Sequence, residues 1–141
     1  MKSDPPAPTV AASDSDPSTR SLAESDDPRP IVCVDLNGVL DQYSGWRGPQ
    51  HWDAPREGAA AFLRELRERG YRVVIHTTRW ADDAVAWLRQ HGLLALVDEV
   101  TGEKRAAHVF VDDRAVCFRG DFARTLEEID TFRAHWEVPR A

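Results

Sequence analysis

The sequence predicts one three-layer α/β domain around a mostly parallel five-stranded sheet, and three observations carry this. Ile31-Val32-Cys33-Val34 is an apolar run without polar interruption, as expected of a strand buried on both faces. Such runs alternate with amphipathic stretches of roughly 10–14 residues, the signature of βαβ units with helices on both faces of a parallel sheet. Carboxylates and hydroxyls follow directly on several runs. A parallel sheet gathers those strand ends along one edge, where open α/β folds place their ligands.

Each element has its own warrant. Residues 1–29 are rich in Pro, Ser, Asp and Ala, with Val10 and Leu22 the only large aliphatics after Met1. Lys2, Arg20 and Arg29 against Asp4, Asp14, Asp16, Glu24, Asp26 and Asp27 give this stretch a net charge of −3. It has too little apolar surface to offset ordering entropy, so a disordered tail is expected ahead of a domain over 30–141. The first strand covers 31–35, and Gly38 lets the chain turn sharply after it. The 41–54 stretch holds Gly45, Gly48, Pro49, Tyr43, Trp46 and Trp52, and reads as a loop or small flap. Ala59, Phe62, Leu63 and Leu66 form the stripe of a helix over 56–69, ended by Gly70. Val73, Val74 and Ile75 centre a second strand over 71–77. A helix over 82–91 turns Val85 and Leu88 inward and stops at Gly92. Short strands follow within 94–101, at 109–111 and at 115–118. Thr125-Leu126-Glu127-Glu128 is a capping-box pattern for a last helix over about 126–134, with Trp136 packing that helix back on the sheet.

Composition excludes several function classes. A net charge of −6 and a pI of about 5.3 oppose binding to nucleic acid or anionic membranes, which require a basic face. A terminal nucleic-acid phosphate is the one such feature a local arginine cluster would suit. No apolar run approaches the ~20 residues of a membrane span, and no apolar segment follows Lys2 as a secretory signal requires. A cytoplasmic location is expected, with Cys33 and Cys117 as reduced, buried thiols.

The chemistry gathers at the strand ends. Asp35 closes the first strand, Thr77, Thr78 and Arg79 the second, and Asp112 and Asp113 the fourth. Three carboxylates converging on one crevice repel unless a hard cation joins them, and an oxygen-only donor set favours Mg²⁺. Lys104, just before the fourth strand, is the only lysine from Pro30 onward, where the other fourteen basic residues are arginines. That bias suggests a compact ammonium is wanted there. Arg79 and Arg114 flank the motifs and are candidates to grip a second anionic group.

With these residues in view, the chain resembles the haloacid-dehalogenase-type (HAD) phosphohydrolases. That superfamily carries an Asp-x-Asp-Gly-x-x loop after strand 1, a Ser/Thr after strand 2, a Lys, and then an acidic pair after strand 4. The corresponding residues are Asp35-Leu36-Asn37-Gly38-Val39-Leu40, Thr77, Lys104 and Asp112-Asp113, in the same order. Response-regulator receiver domains use similar ingredients but place the acidic pair first, so the order argues against them. The resemblance implies a Rossmann-like domain in which Asp35 is the nucleophile that forms an aspartyl-phosphate. It also implies that Asp35, the carbonyl of Asn37, Asp112 and Asp113 hold Mg²⁺, while Thr77 and Lys104 contact the transferring phosphoryl group. Thr78, Arg79 and Arg114 are substrate-binding candidates by their position beside these motifs.

Asn37 departs from the pattern. Phosphatases of the superfamily usually carry an Asp there, which protonates the leaving group and then activates water. An amide donates a hydrogen bond but does not transfer a proton in this way. General acid–base catalysis is typically worth ~10²–10⁴-fold, so slow turnover is expected, less impaired for acyl phosphates and phosphoanhydrides with their good leaving groups. Asp41 and His51 are the candidates to replace the acid. Asp35 and Thr77 are 42 residues apart, and Thr77 and Lys104 are 27 apart. Neither interval holds a large cap domain, so an open site is expected, suited to a bulky phosphorylated substrate or to cover by a partner or second subunit. The alternative function is a weak or inactive HAD-like module that binds a phosphorylated ligand or a protein.

Overall fold

The computed structural model describes residues 27–137. Strand β1 (Ile31–Asp35) lies at the middle of a four-stranded sheet with β2 (Arg72–His76), β3 (Glu99–Thr101) and β4 (Val109–Val111), in the order β3-β2-β1-β4 with every pair parallel. Helix α1 (Ala59–Glu68) joins β1 to β2, and α2 (Ala81–Gln90) joins β2 to β3. Both connections step the same way along the sheet, so right-handed crossovers put both helices on one face. The core agrees: alternate strand residues Val32, Val34, Val73, Ile75 and Val100 meet Ala59, Leu63, Ala84, Trp87 and Leu88 from the two helices. Burying each large aliphatic side chain stabilises the fold by ~1.5–3 kcal/mol.

Several expectations change. The sheet has four strands, because residues 115–118 pair with no strand among the described residues. Cys117 there is exposed, whereas Cys33 is buried as expected, and both are free. Among the described residues, the second face of the sheet carries no packed helix layer. It is covered at Cys33 by the 102–108 connection, whose Arg105 backbone reaches the thiol and whose Arg105 side chain pairs with buried Glu99. The last helix, α3 (Phe122–Asp130), begins four residues earlier than predicted. Asp121 is its cap, accepting from the Arg124 N–H, and takes the place assigned to Thr125. None of the α3 residues is buried: Phe122, Leu126 and Ile129 are 77%, 62% and 55% exposed. Trp136 does not anchor it to the sheet but turns to the carboxylates described below.

Ordered contacts begin before residue 30. Arg29 pairs with Asp27 and with Asp98, and the Pro30 carbonyl accepts from Arg72 N–H in the ladder with β2. The rest of the expected tail, residues 1–26, lies outside the described residues. No helix among the described residues is long and apolar enough to cross a membrane.

Candidate metal and phosphoryl site

Register places the first two carboxylates. Val34 pairs with Val111 across β1 and β4, so the next residues, Asp35 and Asp112, leave adjacent strands side by side. After Asp35 the chain makes a kinked, non-helical turn over Leu36–Leu40 that buries Leu36 and Leu40 and sets Gly38 at φ 95°. That left-handed backbone favours glycine, and a second constraint adds to it. A Cβ on Gly38 would lie 2.0 Å from Asp113 Oδ2. The bare Gly38 backbone is what lets Asp113 lean in, and one carboxylate oxygen each from Asp35, Asp112 and Asp113 lies within 4.8 Å of the others.

This grouping is electrostatically costly. The Asp35 carboxyl is pushed up to about 9, first by burial, then by a hydrogen bond with Asp113 and by the charges of Asp112 and Asp113, against one favourable bond from Leu36 N–H. A carboxyl–carboxyl hydrogen bond requires that one of the two keep its proton. Asp112 Oδ1 accepts from Arg114 N–H at 2.8 Å, which fixes its loop and leaves its second oxygen for the cluster. An all-oxygen donor set of three converging carboxylates fits a hard divalent cation.

Other predicted residues are placed differently. Thr77 is buried, with its hydroxyl oxygen accepting from Arg79 N–H at 3.0 Å and its own N–H bonded to the Thr101 carbonyl. Thr78 is exposed beside it. Lys104 is exposed, and its ammonium sits 5.1 Å from the Phe110 ring centroid. It forms no ion pair with Asp35, Asp112 or Asp113 among the described residues, so the expected convergence of ammonium and carboxylates is not made. Arg114 lies at the rim, paired with Glu137 at 3.3 Å and near the Phe132 and Trp136 rings.

Arg79 is the largest correction. It is 3% exposed, and its guanidinium donates to the flap carbonyls of Pro49 and His51. The same group lies 4.0 Å from the Trp52 ring centroid and 4.9 Å from that of Trp46. It clamps the flap to the end of β2. Trp52 also stacks on Trp87, which is buried and donates to the Asp53 carbonyl. A groove of ≈ 530 Å³ between flap and α2 is lined by Trp52, Trp80 and Trp87 with Gln50, Asp83 and Gln90. Of its indoles, only Trp80 is largely exposed.

The candidate replacement acids are both engaged. Asp41 is fully buried and accepts from the Gly38 and Tyr43 N–H groups and from Asn37 Nδ2, the last at 2.6 Å. Burial raises its pKa, and these bonds oppose the rise. Asp41 thereby organises the turn after β1. His51 bonds to Asp53 at 3.0 Å. Asn37 is held between Asp41 and Arg79 Nε, the latter 3.4 Å from its Oδ1.

Two residues at the site carried no signal of this role. Trp136 Nε1 donates to Asp113 Oδ2 at 2.6 Å, and His135 Nε2 bonds to the Gly38 carbonyl at 2.6 Å. The Gly38 contact spans 97 residues of sequence, beyond the reach of any local pattern.

Comparison with known proteins adds little. No protein-family model matches the chain, and no curated protein matches it. Among solved structures it is similar to a conserved protein from Bacteroides thetaiotaomicron, with 21% identity, a TM-score of 0.49, and coverage of 80% of this chain and 99% of that one.

Proposed function

We propose that this protein is a HAD-like, Mg²⁺-dependent phosphohydrolase acting through an aspartyl-phosphate on Asp35. The observation that carries this reading is the cluster of Asp35, Asp112 and Asp113 at the C-terminal edge of a parallel sheet, one oxygen of each within 4.8 Å of the others. Asp35, Asp112 and Asp113, with the Asn37 carbonyl, would hold the ion, which when bound supplies the positive charge that lets a carboxylate approach a phosphate dianion. Asp35, as the free carboxylate, would be the nucleophile. Its oxygen attacks phosphorus and the ester or anhydride oxygen departs with its electron pair. Water then attacks phosphorus of the aspartyl-phosphate and releases inorganic phosphate. Lys104 reaches this charge by swinging off Phe110, a rotamer change open to an exposed side chain.

Asn37 sets the substrate preference within this reading. Its amide provides no proton, and both replacement candidates already serve the fold. Leaving groups that depart as stable anions are therefore favoured, which points to acyl phosphates and phosphoanhydrides over alkyl esters. The open site suits a bulky phosphorylated substrate or a covering partner.

A second reading is a phospho-ligand-binding module with negligible turnover. The locking of Asn37 between Asp41 and Arg79 and the rest position of Lys104 against Phe110 favour it. Phosphate release from acetyl phosphate and from an alkyl phosphate, with and without Mg²⁺, separates the two. The enzyme reading requires Mg²⁺-dependent release from acetyl phosphate that Asp35→Asn abolishes. Absence of release with retained Mg²⁺-dependent phosphate binding supports the module.

A further inference from the structure

We infer that the segment after α3 is a clasp for the acidic cluster, and that Trp136 is a positioning residue that sets the affinity of the cluster for its divalent cation. The inference rests on the cation-site reading above. Asp113 is wedged on one side by the Gly38 backbone and meets Asp35 on another, and its Oδ2 receives the indole N–H of Trp136. That bond holds one oxygen of the carboxylate and leaves the other for the cluster. The donor is also well chosen: an indole N–H is neutral and stabilises a carboxylate, whereas an ammonium in its place would compete with the cation.

Trp136 is itself held. Its ring stands edge-on to Tyr43, with centroids 5.1 Å apart at 87°. Ala134 beside it is 1% exposed, and Glu137 pairs with Arg114. His135 adds the second arm of the clasp. A carbonyl only accepts, so Nε2 carries the proton that bonds Gly38. Two consecutive residues thus tie together the turn after β1 and the turn after β4, the two pieces of chain that bring the carboxylates together. Partners of this kind, which orient a ligand without touching the metal, are typically worth about 10–100-fold in metal affinity.

The test is Mg²⁺ binding to the full chain by calorimetry, repeated with Mn²⁺ by electron paramagnetic resonance, in a double-mutant cycle. Trp136→Phe keeps the ring packing and removes the N–H, and should weaken Mn²⁺ binding by about 10–100-fold. In an Asp113→Ala background the same change should cost nothing further, because the acceptor through which it acts is gone. Equal affinity of wild type and Trp136→Phe overturns the inference, as does an equal loss in the Asp113→Ala background, which would mark a packing effect only. Should Trp136→Phe lose cooperative unfolding, His135→Ala is read in its place, with His135→Gln expected to restore affinity. Retained affinity in His135→Ala overturns the clasp. If wild type binds neither ion, the cation-site reading itself fails, an outcome distinct from the others.

Discussion

At the scale of single residues, Asp35 and Gly38 make opposite trades. Asp35 destabilises the metal-free fold, because its carboxyl is pushed up to about 9 by burial and by two neighbouring carboxylates. Replacing it with the neutral isostere should abolish turnover yet stabilise the metal-free protein at pH 8, by on the order of 1–3 kcal/mol. Denaturant unfolding in EDTA reads this directly, and a variant less stable than wild type would mean the carboxyl is favourably paired. Gly38→Ala offers no such gain. The new methyl meets Asp113 and the backbone sits at φ 95°, so a loss of ~1–3 kcal/mol from backbone strain is expected. Mg²⁺ affinity should fall at least tenfold with it, since Asp113 is the atom group displaced. Unchanged Mg²⁺ affinity would show that Asp113 does not contribute to binding.

At the scale of elements, the flap is fastened by one cation. Its two ends meet through the Asp41–Pro55 bridge and the Gln42 N–H to Ala54 carbonyl bond, while Arg79 fills its middle. Hydrogen bonds to a charged group are worth ~1.5–3 kcal/mol each and a partly buried cation–π contact ~1–2, with strong non-additivity. Arg79→Lys keeps the charge and loses the planar fork, so a loss of ~2–4 kcal/mol is expected, with a red-shifted tryptophan emission as Trp46 and Trp52 become wet. Retained stability and emission would contradict the clamp. Sequence reading assigned Arg79 to the ligand because it stands two residues after Thr77. Its burial comes from flap residues some thirty positions away, which no local pattern encodes. The four strands were legible because their apolar runs depend on the chain's own composition. The apolar residues at 115–118 resemble those runs, but they pair with no strand among the described residues.

For the whole molecule, the raised pKa of Asp35 and the proposed cation site together tie stability to pH. A carboxyl whose native pKa is raised holds its proton more tightly folded than unfolded. Stability of the metal-free protein should therefore be highest below pH 4 with respect to Asp35 and fall as pH climbs from 3.8 toward about 9. Mg²⁺ competes with that proton, so the rise in Tm on adding saturating Mg²⁺ should be larger at pH 8 than at pH 5. An equal rise at both would separate cation binding from Asp35. The placing of Asp35, Asp112 and Asp113 on one edge was readable from strand order and spacing. The clasp of His135 and Trp136 and the rest position of Lys104 were not, since both depend on how the last forty residues lie against the sheet.

The most direct test of the central claim is to trap the phosphorylated enzyme. Wild type is incubated with acetyl phosphate and Mg²⁺, quenched in acid, and its peptides are examined by mass spectrometry. Without a carboxylate at position 37 to activate water, the aspartyl-phosphate should form faster than it hydrolyses. One hydroxylamine-labile phosphoryl group is then expected on the peptide containing Asp35, absent in EDTA and in Asp35→Asn, and reduced in Asn37→Asp. Phosphate release from wild type with no such adduct, or an adduct that persists in Asp35→Asn, would contradict the account.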